Sequence, residues 1–267
     1  MTNQIMTEDK SSSGKVRIQK LLSAAGVASR RKIEQMVREG RITVNGKVVK
    51  KLPCLVSESD EIRLDGQLVR KKPEKKVYIL LNKPRGVICT QRDETGAGRP
   101  RAIDLVGAID KRLYCAGRLD ADSTGLIILT NDGELTERLT HPRYGLVKTY
   151  IVRVEGRITT EQLRSLRKGI FLARSKAKAG RAGAVRARVS AVKILHAGNR
   201  ETLLEVRMAE GRNREIRRML ARLGHKVVRL HRCAIGSITD RGIKIGKYRF
   251  LNEREVSRLR KETGLED

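Results

Sequence analysis

The amino-acid sequence predicts an α+β protein with two domains and a strongly basic surface. Near the N-terminus, apolar residues recur with helical spacing and are followed by turn-rich strand signals. The longer remainder alternates apolar, strand-like runs with helical patterns and contains no repeat. The chain has 267 residues, of which 59 are Lys or Arg and 30 are Asp or Glu, giving a formal net charge of +29. This length is typical of one large or two modest domains.

The excess positive charge indicates a polyanionic partner, because uncompensated charge destabilises a compact chain through self-repulsion. Nucleic acid is favoured over a membrane surface, since the charge is spread over the whole chain and not concentrated on one amphipathic face. Only seven residues are aromatic and none is tryptophan, which favours contacts to phosphates over stacking on several bases. Composition alone also fits a basic protein that merely coats RNA.

Several other classes are excluded. No apolar run approaches the length of roughly 18–20 residues that a transmembrane helix needs, and residues 1–14 lack the apolar stretch of a signal peptide. The four cysteines are scattered without a C-x-x-C pair, which excludes a zinc ribbon or a disulfide scaffold and indicates the reduced thiols of a cytoplasmic protein. They are Cys54, Cys89, Cys115 and Cys233.

The predicted N-terminal domain covers residues 15–72, after a disordered tail at 1–14. A first helix carries Ile18, Leu21, Leu22 and Ala25 on one stripe and ends at Gly26. Ser29 is the expected N-cap of a second helix. Asn45-Gly46 and Asp65-Gly66 predict two hairpin turns. A charged stretch with proline follows, in which residues 73–76 form the expected linker.

This N-terminal domain contains fifteen basic and six acidic residues, a net charge of +9. Several basic residues precede the second helix, at the positive end of its dipole, where a phosphate would be received. The expected RNA contacts in this domain are Arg17, Lys20, Arg30, Arg31, Lys32 and Arg41.

Residues 77–255 form the predicted second domain. Strand patterns occur at 77–82, 126–130, 150–154 and 203–208, and Asn213 is the expected N-cap of a helix. The basic stretch 172–188 is expected to be a mobile loop, and residues 256–267 a C-terminal tail. Neither G-x-G-x-x-G nor G-x-x-x-x-G-K-[ST] occurs, so no nucleotide cofactor is implied.

The densest polar cluster is the segment 117–125, G-R-L-D-A-D-S-T-G, directly before an apolar strand. From the residues alone, three roles for Asp120 and Asp122 stay open. They could cap the turn, or hold Mg²⁺ for phosphoryl transfer, although only Asp132 is a nearby further ligand. One aspartate could instead be a nucleophile or base, kept ionised by a neighbouring arginine.

Two sets of motifs resemble a known family. V-R-I-Q-K-L-L-S-A-A-G-V-A-S-R-R-K-I-E and G-R-I-T-V-N-G resemble an S4-type RNA-binding domain. L-N-K-P-R-G-V-I-C-T, G-R-L-D-A-D-S-T-G-L, K-T-Y-I-V-R-V and E-G-R-N-R-E-I-R-R-M-L resemble the motifs of bacterial rRNA pseudouridine synthases. The resemblance covers about residues 15–255 and is to the RsuA/RluB-like branch, in which an S4-type domain precedes the catalytic domain.

The resemblance implies an α+β catalytic domain with a mixed or antiparallel sheet. It implies that Asp120 is the catalytic residue, that Tyr150 packs against the target uracil and that Arg217 pairs with the catalytic aspartate. Isomerisation of uridine involves neither a redox change nor phosphoryl transfer, so no cofactor or metal is expected. The uracil must be flipped out of its RNA to be reached. Further RNA contacts are expected from Lys83, Arg85, Arg118, Lys148, Arg212 and Arg214.

The expected partner is ribosomal RNA, 23S more than 16S because R-L-T-H-P at 138–142 is typical of the large-subunit branch. A monomer acting during ribosome assembly is expected. His225 and His231 are interpreted as phosphate contacts or surface residues. The alternatives from other classes are a catalytically silent RNA-binding or ribosome-assembly factor, and a magnesium-dependent nuclease.

Overall fold

The computed structural model describes residues 14–70, 72, 74–90, 96, 98–107, 109–173 and 183–265. The chain divides into two compact units between Lys75 and Lys76. The α-helices are α1 (Ile18–Ala24), α2 (Arg30–Arg38), α3 (Gly133–Thr140), α4 (Thr160–Lys168), α5 (Glu215–Arg222) and α6 (Glu253–Glu262). Two 3₁₀-helices span Ala102–Val106 and Pro142–Tyr144.

The described strands number seventeen. In chain order they are β1 (Val16–Arg17), β2 (Ile42–Val44), β3 (Lys47–Val48), β4 (Leu55–Val56), β5 (Ile62–Leu64), β6 (Gln67–Leu68), β7 (Tyr78–Lys83), β8 (Tyr114–Ala116), β9 (Thr124–Thr130), β10 (Lys148–Glu155), β11 (Ile170–Ala173), β12 (Ala184–Ala187), β13 (Ala191–Ala197), β14 (Glu201–Met208), β15 (Val227–Ile235), β16 (Ile238–Thr239) and β17 (Tyr248–Phe250).

The N-terminal unit contains α1, α2 and a four-stranded antiparallel sheet in the order β3-β2-β5-β6. Ser29 caps α2 as predicted, because its Oγ accepts a hydrogen bond from the backbone N–H of Lys32 at 3.1 Å. Asn45 and Asp65 adopt left-handed φ angles of 49° and 51° in the turns that join the paired strands. The two predicted hairpins are therefore present. Buried apolar residues of the helices and strands form the core of this unit.

The second unit is built on a nine-stranded mixed sheet. Its path is β13-β14-β10-β15-β9-β7-β17, with β16 beside β15 and β8 beside β9. All its described pairs are antiparallel except β15 with β9, which run parallel. This architecture confirms the predicted α+β class with a mixed sheet.

Apolar cores cover both faces of this sheet. On one face, β10, β14 and β15 pack against α4 and α5, and alternate residues of β7 and β9 form a second cluster. On the opposite face, β7 and β9 pack against α3 and α6. Partly buried Cys89 packs against both clusters of the first face, so the two clusters meet there near the middle of the sheet.

Two predictions about irregular segments need correction. The expected tail at 256–267 is a helix, α6, as far as the structure describes it: Val256 and Leu259 are buried in the core, and Asn252 and Glu255 form a capping box. The expected loop at 172–188 is in part a hairpin, since β11 pairs with β12. Residues 174–182, and residues 1–13 of the predicted tail, lie outside the described residues. Within the described part of the chain, no helix is long and apolar enough to cross a membrane.

Candidate active site

The loop that carries Asp120 connects β8 to β9 and is fixed by backbone contacts. The N–H of Leu119 approaches the Sγ of Cys89 at 3.5 Å. The carbonyl of Ala121 accepts a hydrogen bond from the N–H of Gly86 at 2.7 Å. A turn closes when the N–H of Ser123 donates to the carbonyl of Asp120 at 3.1 Å. These contacts hold the Asp120 carboxylate in place while its side chain stays 28% exposed.

Gly125 allows the strand after this loop to approach β15 closely. Its φ is +111°, and a Cβ there would lie 2.3–2.8 Å from backbone atoms of Arg232. No other residue fits this position without moving a strand. The parallel pairing, in which Thr124 faces His231 and Gly125 faces Arg232, therefore depends on the second glycine of the motif.

A pocket of about 90 Å³ opens beside Asp120. Tyr150, only 8% exposed, lines it from the start of β10. The apolar lining residues are Leu119, Met208, Ile216 and Leu230. Arg118, Arg212 and Arg214 also line it. An aromatic ring, apolar walls, several arginines and the acidic residues Asp120, Glu210 and Glu215 line this pocket. The combination suits a flat heterocycle attached to a phosphodiester chain.

Two arginines of the α5 region bind the Asp120 loop. Arg214 donates from Nη1 and Nη2 to the two carboxylate oxygens of Asp122, both at 3.1 Å, and its Nη1 lies 3.6 Å from Asp120 Oδ2. The Nη2 of Arg217 lies 3.3 Å from Asp122 Oδ2 and 3.4 Å from Ser123 Oγ. Its Nη1 donates to the carbonyl of Val227 at 3.1 Å. Both arginines thus meet at Asp122.

This arrangement corrects one detail of the expected site. The resemblance implies that Arg217 pairs with Asp120, whereas in the structure Arg217 pairs with Asp122 and Asp120 lies nearest Arg214. Asp120 still has positively charged neighbours, because the guanidinium groups of Arg214 and Arg217 are both close enough to interact electrostatically with its carboxylate. The sequence signal for the role of Asp122 is the D-x-D spacing, which places both carboxylates in one turn.

Burial and charge shift the titration of this cluster. Burial raises the pKa of Asp122, but the Arg214 hydrogen bonds and the charges of Arg217 and Arg214 outweigh it, so the pKa is lowered overall. The Asp122 carboxylate is therefore ionised at neutral pH. Burial lowers the pKa of the Arg217 guanidinium, and the charge of Asp122 partly offsets that shift.

Two further sequence expectations differ from the structure. Lys83 is fully buried and its Nζ donates to the carbonyls of Pro84 and Val87, so it does not present its charge to RNA. Arg214, not Asn213, is the N-cap of α5, with a left-handed φ of 47° and no side-chain capping bond. In this position the Arg214 side chain bonds to Asp122.

The two histidines expected at the surface are structural. His225 is 8% exposed, and its ring contacts the carbonyl of Glu155 and the side chain of Gln162. His231 bridges Thr124 Oγ1 and Asp240 Oδ2, both at 2.8 Å. His231 therefore helps to hold the first residue of β9, four positions after Asp120.

The third carboxylate that a magnesium site would recruit is already engaged. Asp132 caps α3 by accepting hydrogen bonds from the N–H groups of Glu134 and Leu135, and it accepts the hydroxyl of Tyr78. Among the described residues, no cluster of three or more His, Cys, Asp or Glu could hold a metal ion. Asp120 and Asp122 are bound by arginines instead.

The basic side chains of the N-terminal unit lie mostly on its surface. Arg17, Lys20, Arg30, Arg31 and Lys32 are exposed. Arg41 differs, because it forms a bidentate pair with Asp65 at 2.8 and 2.6 Å and contacts Glu39 at 3.3 Å. This exposed cationic surface is suited to phosphate binding, with Arg41 least available for it.

Comparisons with known proteins agree with this picture. The RNA pseudouridylate synthase family matches residues 77–222, and the S4 domain matches residues 16–62. An uncharacterized RNA pseudouridine synthase of Aquifex aeolicus is 43% identical over 94% of this chain and 96% of its own. Ribosomal large subunit pseudouridine synthase B of Bacillus subtilis is 41% identical over 91% of this chain and 95% of its own.

A solved structure supports the same conclusion. The crystal structure of a pseudouridylate synthase superposes with a TM-score of 0.59 and 30% identity, covering 91% of this chain and 99% of that one. The chain belongs to the RNA pseudouridylate synthase family. It is a pseudouridine synthase with an S4 domain ahead of its catalytic domain, which confirms the predicted fold and enzyme class.

Proposed function

We propose that the protein converts a specific uridine of ribosomal RNA to pseudouridine, and that its substrate is 23S rRNA. The observation that carries this proposal is the placement of the Asp120 carboxylate and the Tyr150 ring in one pocket. The relatives named as large-subunit pseudouridine synthases in Bacillus subtilis and Pseudomonas aeruginosa support the choice of rRNA. A single chain would meet this RNA in the cytoplasm during ribosome assembly, without a cofactor.

In the proposed reaction, the target uridine leaves its RNA stack and its uracil packs on Tyr150. Stacking on an aromatic side chain offsets part of the lost base stacking, typically ~1–3 kcal/mol. Asp120 then acts on the ribose, either by attacking C1′ or by removing a ribose proton, and the N1–C1′ bond breaks. The uracil turns and rejoins through C5.

The arginines of the α5 region support this chemistry electrostatically. Arg214 and Arg217 keep positive charge beside the Asp120 loop. Exposed Arg85, together with Arg118 and Arg212 at the pocket, would hold the flanking phosphates.

The proposal is tested in a strain that lacks the gene. Total rRNA is treated with carbodiimide, and reverse transcription then stops at pseudouridine adducts. We expect one stop in 23S rRNA to be missing and to return with the wild-type gene but not with an Asp120→Asn gene. Unchanged stops in both rRNAs would contradict the proposal and favour a silent RNA-binding factor. Loss of a 16S stop would contradict the choice of 23S rRNA.

A further inference from the structure

A row of residues crosses the sheet beneath the Asp120 loop. Lys83 of β7 pairs with Gly125 of β9, Gly125 pairs with Arg232 of β15, and Arg232 pairs with Tyr150 of β10. Residues in register on neighbouring strands point to the same face. Lys83, Arg232 and Tyr150 therefore share the face that carries the pocket, and at Gly125 strand β9 comes into close backbone contact with Arg232.

Arg232 is almost fully buried and incompletely bonded. It is 4% exposed, and its Nε donates to the carbonyl of Leu126 at 2.6 Å. Its Nη2 is buried and has no hydrogen-bond partner among the described residues. A buried N–H donor without a partner is costly, which indicates that a ligand supplies the missing acceptor.

Lys148 lies near Arg232, on the other side of a β-bulge in the pairing of β10 with β15. It precedes Tyr150 by two residues on β10 and pairs with Met208, which lines the pocket. In the described part of the chain, no hydrogen bond or ion pair engages its ammonium group. Burial and the charge of Arg232 lower the pKa of Lys148 to about 8. Two neighbouring cations thus both have free donors.

The surroundings leave this region with excess positive charge. Burial also lowers the pKa of Lys83, whose ammonium bonds only backbone carbonyls. The Cys89 thiol faces this region. Its hydrogen bond with Cys115, the Leu119 N–H and the charges of Lys83 and Arg232 lower the pKa of Cys89. The pKa of Cys115 is raised. Lys83 and Arg232 therefore face the Cys89 thiol, and the charges of Asp122 and Asp120 also act on Lys83. Among the described residues, none of the cations Lys83, Lys148 and Arg232 forms an ion pair with a carboxylate. Buried charges normally require a counter-charge, so an incoming electron-rich group would be stabilised here.

We propose that Lys148 and Arg232 bind the carbonyl oxygens of the target uracil and stabilise the negative charge that the ring carries when its glycosidic bond is broken. This inference rests on the proposed function. When the N1–C1′ bond breaks, its electron pair stays with the ring and spreads over N1, O2 and O4. When the C5–C1′ bond forms, that electron density is returned from C5. The proton then lost from C5 balances the proton gained at N1, so the cations are needed only between the two steps.

The position of the two cations favours the ring over a phosphate. Exposed or half-exposed arginines, Arg212 and Arg214, already line the pocket where the RNA backbone would pass. Arg232 and Lys148 lie instead on the sheet beside Tyr150, on which the ring is expected to stack. Charge stabilisation by donors that are fixed before the reaction acts mainly on the transition state.

The test compares Lys148→Met, Lys148→Arg and Arg232→Gln with wild type and with Lys193→Met. Lys193 is an exposed lysine on β13 that pairs with Glu205, so it is a matched control. Each protein is given 23S rRNA transcript with tritium at uridine C5, and kcat and kcat/KM are measured from pH 7 to 9. RNA affinity is measured separately, and circular dichroism checks folding.

We expect Lys148→Met to lower kcat about 100-fold while the Kd for RNA changes less than twofold.

The kcat/KM of wild type should fall about tenfold from pH 7 to 9. This ratio reports the free enzyme, and the Lys148 ammonium loses its charge above its pKa of about 8. Lys148→Arg should restore most activity and remove this fall, since arginine stays charged. Arg232→Gln should lower kcat and move the fall to higher pH, because a repelling charge is gone. A merely structural role would not move the pH profile.

Normal kcat in Lys148→Met would overturn the inference. Equal losses of kcat and affinity would also overturn it, because they identify a phosphate contact. A Lys148→Arg protein as slow as Lys148→Met, with a flat wild-type profile, would show that shape and not charge matters. If wild type releases no tritium from any rRNA, the proposed function itself fails, and the inference fails with it.

Discussion

The two units of the chain use their basic side chains in different ways. In the N-terminal unit most of them are exposed and free to meet phosphates. In the catalytic unit Arg217 is 12% exposed and tied to Asp122, and Arg232 and Lys83 are buried. Exposed cations supply binding energy that salt screens, whereas enclosed cations keep their full effect on neighbouring atoms. The large net charge therefore serves two purposes, binding and chemistry.

The largest effect is expected from a substitution that disrupts the catalytic unit, where the enclosed cations lie, and leaves the N-terminal unit unchanged. Gly125→Ala places a Cβ against the backbone of Arg232 at 2.3–2.8 Å in a left-handed conformation. We expect it to destabilise the catalytic unit by on the order of 4 kcal/mol and to abolish activity. Urea unfolding followed by circular dichroism measures the change.

Gly246→Ala is the matched control, because Gly246 also has a positive φ, +83°, but no atom lies within 4 Å of the place that a Cβ would take there. It should cost only about 1–2 kcal/mol. Equal losses in the two variants would mean that backbone conformation matters and the close approach of β9 to β15 does not.

The next largest effect should come from Arg217→Met. It removes the enclosed charge beside the Asp120 loop, so turnover should fall about 100- to 1,000-fold while RNA affinity stays within a factor of about three. Single-turnover tritium release and filter binding give the two numbers. Arg222→Met, at the exposed end of the same helix, should change neither by much. Parallel losses of turnover and affinity would make Arg217 an ordinary phosphate contact.

Removal of residues 1–75 tests the role of the exposed cations in the N-terminal unit. Binding should weaken on the order of 100-fold at low salt. The slope of log K against log salt should flatten by roughly 0.7–0.9 for each phosphate that the shortened protein no longer neutralises. The measurement is a salt titration of binding by full-length and shortened protein. An unchanged slope would show that the N-terminal unit does not contact RNA.

Asp122→Asn should have the smallest effect on turnover, about tenfold or less, because the asparagine oxygen can still accept from Arg214 and Arg217. The lowered pKa of Asp122 adds a pH test. A carboxylate with a depressed pKa stabilises the folded state above its unfolded pKa and loses that contribution as the pH falls through the folded value. The stability difference from wild type should therefore be present at pH 7 and shrink below about pH 4. A difference that persists at pH 2 would contradict the ion pairs.

Much of the fold is predictable from the sequence, because local signals determine it. The N-cap Ser29 and the hairpin turns at Asn45 and Asp65 are set by neighbouring residues and are present as predicted. Helix α6 also has a signal in the sequence: Val256 and Leu259 at helical spacing after Asn252 and Glu255. The high charge of this segment, which is typical of a tail, obscures that signal.

The site is less predictable, because side-chain pairing depends on tertiary distances. The motifs place Asp120 and Arg217 in the same region, but whether Arg217 reaches Asp120 or Asp122 is decided by where α5 packs. Lys83 and Arg232 resemble surface cations in sequence, and only the tertiary packing of the catalytic unit buries them. The pairing of Arg214, at the start of α5, with Asp122 likewise depends on tertiary packing.

The proposed chemistry depends above all on the Asp120 carboxylate, which must perform the isomerisation. The most direct measurement is tritium release from 5-³H-uridine 23S rRNA fragments by wild type, Asp120→Asn and Asp122→Asn, all with EDTA present. We expect release by wild type and in part by Asp122→Asn, and none by Asp120→Asn, which should bind RNA as well as wild type or better because one repulsion from phosphate is gone. Robust release by Asp120→Asn, or loss of wild-type release with EDTA, would contradict this role of Asp120.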